Sequence, residues 1–132
     1  MRIELRAGGP HSDDYTTEVA RAFSESVRVL NHATFTGRGL TNPQTVYEVA
    51  GALAGGAAGL RQLFDQMTRF LGTETAHGRL AHDNGADPAI TVSGIGRQLG
   101  FAGLAAAELF EALSAVQNAA SHLYVPDHGQ ED

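Results

Sequence analysis

Apolar residues recur every three or four positions along two long segments of the chain. This spacing keeps side chains on one face of a helix, so each segment predicts a long amphipathic helix. The polar stretch 82–85 between them predicts a tight turn, and therefore an antiparallel helical hairpin. The first ladder comprises Val46, Ala50, Leu53, Ala57, Leu60, Phe64, Met67 and Leu71, and the second comprises Val92, Ile95, Leu99, Ala102, Ala106, Leu109, Leu113, Val116, Ala120 and Leu123.

Helix-start signals occur at three places. Ser12 or Asp13 can cap the free N–H groups of a first helix that carries Ala20, Phe23, Val27 and Leu30 inward. Proline follows Asn42 and Asp87, which is typical of a capping residue and the first helical position. We therefore expect three helices, the second ending between residues 72 and 80 and the third near Tyr124.

The predicted fold is all-α. It is a long antiparallel hairpin plus a shorter N-terminal helix, forming an up-down-up three-helix bundle that a dimer could complete into a larger bundle. Residues 1–12 form a leader, either a short strand or an extended arm. Residues 13–124 form the helical domain, and residues 125–132 a polar tail.

The helix lengths predict an uncovered region at the turn-proximal end of the hairpin. The first helix spans about 35 Å and the other two about 45–54 Å, so the first is too short to cover both. Either the leader, through Ile3 and Leu5, or a second chain covers this end, and we favour the second chain because exposed apolar surface marks partner sites. The expected interface residues are Met67, Phe70, Leu71, Val92, Ile95, Leu99 and Phe101.

Glycines inside the predicted helices need an explanation, because each costs about 0.8–1 kcal/mol relative to alanine. We favour close approach of the two hairpin helices, with large residues facing the glycines. The alternatives are a helix break at Gly55-Gly56 or Gly94–Gly96 and, least favoured, a small-residue motif of the membrane-dimer kind. The expected close-packing glycines are Gly51, Gly55, Gly59, Gly96, Gly100 and Gly103.

Composition and motifs argue against catalysis. The 132 residues contain no cysteine, so thiol nucleophiles and cysteine-ligated metals are excluded, and no nucleophile elbow or phosphate-binding loop occurs. A loose cluster of histidines and acids could bind a metal, but metal-binding bundles carry inward acids and this chain does not. We expect no catalytic residue, metal or cofactor. The cluster comprises His11, Asp13, His77, His82 and Asp83.

The expected partner is a second copy of the chain, together with another protein. The net charge of -6 makes nucleic-acid binding the weaker alternative, because acidic residues lie between the arginines that would carry it, Arg61, Arg69, Arg79 and Arg97. The longest run without polar side chains, Val49–Leu60, is too short to span a bilayer. We therefore expect a cytoplasmic, non-enzymatic interaction module. A small-ligand-binding bundle remains open.

Four segments, 27–34, 46–53, 78–88 and 117–124, resemble small all-helical proteins of streptomycetes and related actinobacteria. The resemblance covers most of residues 13–124. It implies an actinobacterial source and a plasmid or integrative-element setting. It carries over no functional residue.

Overall fold

The computed structural model describes residues 3–127 and contains three α-helices. They are α1 (Asp13–Phe35), α2 (Pro43–Ala76) and α3 (Pro88–Ala120). No strand occurs among the described residues, and α2 packs against α3. The predicted all-α class is confirmed.

The capping residues place the helix starts where the sequence predicts them. The Ser12 hydroxyl accepts a hydrogen bond from the Tyr15 N–H at 3.0 Å, and the Asp87 carboxylate accepts one from the Ala89 N–H at 3.0 Å. The α2 end at Ala76 lies in the predicted range. α3 ends at Ala120, before the predicted end near residue 124, and the chain then makes a turn.

Both long helices are continuous. α2 runs without interruption through Gly55-Gly56, and α3 does so through Gly94–Gly96. Glycine here lowers helix propensity without breaking the backbone hydrogen bonds, so the alternative of a helix break is wrong for these two helices.

The chain divides into two compact units, the first ending at Asn42 and the second beginning at Pro43. The predicted single domain 13–124 thus spans two units. α1 contains no buried residue, and Phe23 is 63% exposed. Ala20, Phe23, Val27 and Leu30, which we expect to point into a core, are exposed, and their packing against the hairpin stays a prediction.

The leader is attached to the first turn of α1 through one tyrosine. The Tyr15 hydroxyl donates to the Glu4 carbonyl at 2.7 Å and accepts from the Arg6 N–H at 2.8 Å. Over residues 3–12 the leader is therefore an arm and not a strand, and Leu5 remains 69% exposed.

Candidate protein interaction face

The core of the α2–α3 hairpin is made of small residues. Its fully buried members are alanines and one glycine: Ala50, Ala54, Ala57, Gly103, Ala106 and Ala120. No large side chain among the described residues is completely buried. The helices therefore approach closely along a narrow seam, which leaves the bulkier apolar side chains at its edges or outside it.

Three contacts across the seam establish the pairing of the two helices. A Cβ atom added to Gly96 would lie 3.3 Å from Thr68 Cγ2, and one added to Gly103 would lie 3.5 Å from Arg61 Cγ. A Cβ added to Gly51 would collide with the side-chain amide of Gln117. In these contacts the residue number increases along α2 as it decreases along α3, so the two helices are antiparallel.

The buried and contacting residues define a heptad seam on each helix. On α2 the seam consists of Tyr47, Ala50, Ala54, Ala57, Arg61, Phe64, Thr68, Leu71 and Thr75. On α3 it consists of Val92, Gly96, Leu99, Gly103, Ala106, Phe110, Leu113, Gln117 and Ala120. Only alternate members of each apolar ladder in the sequence belong to the seam. The remaining members within the helices lie one residue before a seam position, on the side of the hairpin, and Leu123 lies beyond the end of α3.

These remaining members belong to a second heptad pattern, which we call the outer apolar face. Each of its residues precedes a seam residue, so its side chain is rotated about 100° from the helix contact. Because the helices are right-handed and antiparallel, this rotation leads to the same side of the hairpin on both. The face comprises Val46, Val49, Leu53, Gly56, Leu60, Leu63, Met67 and Phe70 of α2 and Thr91, Ile95, Gln98, Ala102, Ala105, Leu109, Ala112 and Val116 of α3.

From Val46 to Phe70 and from Thr91 to Val116 the outer apolar face contains no charged residue and no buried one. At the turn end Glu74, which precedes the seam residue Thr75, lies on the same side and is paired with Arg79. Met67 is 45% exposed, Phe70 61% and Leu109 48%. One shallow groove lies along α2 at Met67 and Phe70, and a second lies along α3 at Ile95 and Gln98, with Arg97 of the charged side at its edge. An apolar surface that extends over most of the length of two helices is typical of a partner site.

The opposite side of the hairpin is polar, and we call it the charged face. Its residues each follow a seam residue, so they are rotated the other way. Five of them are charged, which shows that the two sides differ in chemistry as well as in position. The charged face comprises Glu48, Gly51, Gly55, Ala58, Gln62, Asp65, Arg69 and Gly72 of α2 and Ser93, Arg97, Gly100, Leu104, Ala107, Glu111, Ser114 and Asn118 of α3.

The predicted interface residues fall into three groups. Leu71, Val92 and Leu99 are half-buried seam residues, so part of their surface is used within the hairpin. Met67, Phe70 and Ile95 lie on the outer apolar face and are exposed. Phe101, at 58% exposure, belongs to neither set and points away from the seam. The prediction omits the residues of the face that lie in the half of the hairpin away from the turn, although their heptad spacing is visible in the sequence.

The predicted close-packing glycines divide in the same way. A Cβ atom added to Gly51, Gly96 or Gly103 would lie within 4 Å of a side chain on the facing helix. A Cβ atom added to Gly55, Gly59 or Gly100 would meet open space. The facing residues are Gln117, Thr68 and Arg61, of which two have the large side chains that we expected. Close packing within the hairpin therefore accounts for three of the six.

Several charged side chains form local pairs. Arg79 Nη1 lies 3.1 Å from Glu74 Oε1, and His82 Nδ1 lies 3.0 Å from Asp83 Oδ1 beside the turn. In α1, a hydrogen bond from Arg28 to Glu25 lowers the pKa of the Glu25 carboxyl from its ordinary value. Within residues 3–127 no three His, Asp or Glu side chains come together as metal ligands would.

α3 also has the length and composition of a membrane span. Among the described residues it is the one helix that could cross a bilayer by these two criteria, and 11% of its apolar window is buried. A buried helix of a soluble assembly meets the same criteria, so the finding fits either a bilayer or a protein partner around α3.

Comparison with protein-family models, curated proteins and solved structures gave no match.

Proposed function

We propose that this protein is a non-enzymatic helical interaction module that associates with a second copy of itself through its hairpin. The observation that carries the proposal is the outer apolar face, an uncharged surface on one side of two long helices. The contact includes the turn-proximal end, where Met67, Phe70 and Ile95 are exposed. The addition of α1 as the third helix of an up-down-up bundle stays a prediction.

The exposure of large apolar side chains on the hairpin supports association. Leu53, Leu63, Met67, Phe70 and Leu109 of the outer apolar face are between 39% and 61% exposed. A contiguous surface of this kind is typical of a site for a protein partner.

Two other readings have less support. Insertion of the most apolar part of α3 into a bilayer would place Glu108 and Glu111 at membrane depth, where ionisable residues are costly. Nucleic-acid binding would use dispersed arginines, of which Arg79 is already paired with Glu74. A cytoplasmic location is part of the proposal. The actinobacterial mobile-element setting stays an expectation from the resemblance.

Adjacent substitutions on the two sides of α2 test the proposal. Phe70→Glu puts a charge on the outer apolar face, and Arg69→Glu makes a larger charge change on the charged face. We expect Phe70→Glu to raise the dimer dissociation constant about tenfold or more and Arg69→Glu to leave it nearly unchanged, as measured by light scattering over a dilution series. Equal effects of the two substitutions would contradict the proposal.

A further inference from the structure

The seam contacts determine which residues of the outer apolar face lie at the same height along the hairpin. Since Thr68 is opposite Gly96 and Arg61 is opposite Gly103, each level of the face pairs one α2 residue with one α3 residue, to within about one residue's rise of 1.5 Å. The four central levels pair Leu53 with Ala112, Gly56 with Leu109, Leu60 with Ala105 and Leu63 with Ala102.

Each of these four levels contains one leucine and one alanine or glycine. The leucine is on α2 at three levels and on α3 at the level of Gly56. A Cβ added to Gly56 would meet nothing within 4 Å, so this gap is not filled within the chain. At each level a large side chain on one helix thus lies beside a small one on the other. A partner with the large and small residues exchanged would be complementary in shape.

A second copy of the hairpin has this reversed order in one arrangement. If the two-fold axis runs parallel to the helices, α2 of each copy lies on α3 of the other at the same height, and leucine meets a small residue at all four levels. If the axis runs across the helices, α2 lies on α2 and α3 on α3. At the two outer levels leucine then faces leucine on α2 and alanine faces alanine on α3, which crowds one contact and leaves a void at the other.

We propose, on the basis of the proposed function, that two copies pair face to face along this entire surface as a four-helix bundle. The two turns lie at the same end, and α2 of each copy packs on α3 of the other. Leu109 of the second copy occupies the open space at Gly56. Over the four central levels the two faces are complementary in size and contain no ionised side chain to be buried unpaired, and Glu74 at the turn end is paired with Arg79.

The position of the two turns distinguishes the arrangements. The chain contains no cysteine, so Asp83→Cys creates a single spin-labelling site in the turn, where the Asp83 side chain is 96% exposed. With both turns at one end, helices about 8–10 Å apart place the labels less than about 30 Å from each other. With the turns at opposite ends, the length of α3 separates them by about 50 Å.

The pulsed electron-spin measurement is made at a concentration where light scattering has established the mass. A distance below about 30 Å is the expected result. A distance near 50 Å in a proven dimer would overturn this arrangement and leave self-association intact. A chain that stays monomeric would remove both, and detection of vesicle-bound monomers instead would assign the face to a lipid surface.

A matched pair of glycine substitutions tests the packing at Gly56. Both Gly56→Leu and Gly72→Leu enter open space in the single chain, so both variants keep the hairpin. Gly56 lies on the outer apolar face and Gly72 on the charged face. We expect Gly56→Leu to weaken the dimer at least about tenfold and Gly72→Leu to have no such effect. An unchanged dissociation constant for Gly56→Leu would overturn the predicted contact with Leu109.

Discussion

Gly96 of α3 lies against Thr68 of α2, so closely that a Cβ atom on the glycine would be 3.3 Å from Thr68 Cγ2. The Thr68 hydroxyl donates to the Phe64 carbonyl at 3.0 Å, which holds its side chain against the helix. One helical turn further along, Gly100 faces open space. These two glycines therefore have the same backbone conformation and opposite steric surroundings.

Substitution of these two glycines should change stability in opposite directions. Gly96→Leu should destabilise the hairpin by about 1–3 kcal/mol, because the new side chain overpacks the seam. Gly100→Leu should stabilise it by up to about 0.8 kcal/mol through helix propensity alone. Urea denaturation at equal protein concentration measures both. Stabilisation by Gly96→Leu would contradict close packing of Gly96 against Thr68 in the seam.

A charge introduced at the middle of the outer apolar face should weaken dimerisation to a similar extent as a charge introduced near the turn. Leu63 is 45% exposed on this face, and its neighbour Gln62 lies on the charged face. Leu63→Glu should raise the dissociation constant about tenfold or more, whereas Gln62→Glu should change it little. Sedimentation velocity provides the measurement, with circular dichroism to verify helix content. If Leu63→Glu has no effect while Phe70→Glu does, the contact is limited to the turn-proximal end.

Removal of the cap at the start of α3 should cost about 1 kcal/mol of unfolding free energy. Asp87 Oδ1 accepts a hydrogen bond from the Ala89 N–H at 3.0 Å, so Asp87→Ala leaves a helix N–H without this partner. Asp87→Ser should recover most of the loss, because serine caps equally well. Thermal denaturation compares the variants. Equal losses for alanine and serine would mean that the carboxylate acts by some means other than capping.

The pair Glu25 and Arg28 predicts a pH dependence within α1. The hydrogen bond from Arg28 lowers the pKa of Glu25, with the positive charge acting in the same direction. A lowered pKa in the folded chain means that the pair contributes stability above the unfolded pKa of Glu25 and loses it as the pH falls through the folded pKa. NMR titration of the Glu25 carboxyl should show this lowered pKa, and Arg28→Gln should return it towards the ordinary value. A titration that Arg28→Gln leaves unaltered would contradict the pairing.

The sequence predicts the helices well because local signals control them. Ser12 and Asp87 cap their helices through side-chain oxygens within three residues, and the prolines after Asn42 and Asp87 have no N–H to lose at a first helical position. The interior glycines do not end the predicted helices, since the packing of a long seam offsets a helix-propensity cost of about 1 kcal/mol for each glycine.

The sequence alone could not determine which part of the apolar arc faces the neighbouring helix. Leu53 and Ala54 are adjacent, and both continue a heptad pattern. Ala54 is buried because small residues allow the backbones to approach closely, which leaves Leu53 39% exposed beside the seam. Which of the two residues is buried depends on the packing between the helices, and the periodicity of one helix carries no information about that packing. For the same reason the sequence indicated only the turn-proximal part of the candidate site.

The exposed apolar face of α1 shows a related limit. Phe23, Val27 and Leu30 have the spacing of a core-facing stripe, yet all three are exposed. Periodicity indicates that such a face needs a partner and does not indicate which element supplies it.

Sedimentation equilibrium of the unmodified chain tests the central claim most directly. If the chain self-associates as proposed, we expect a mass of about twice 13.9 kDa at micromolar concentrations, falling towards the single-chain value on dilution. A constant mass of 13.9 kDa over the whole concentration range, with helix content retained, would contradict it.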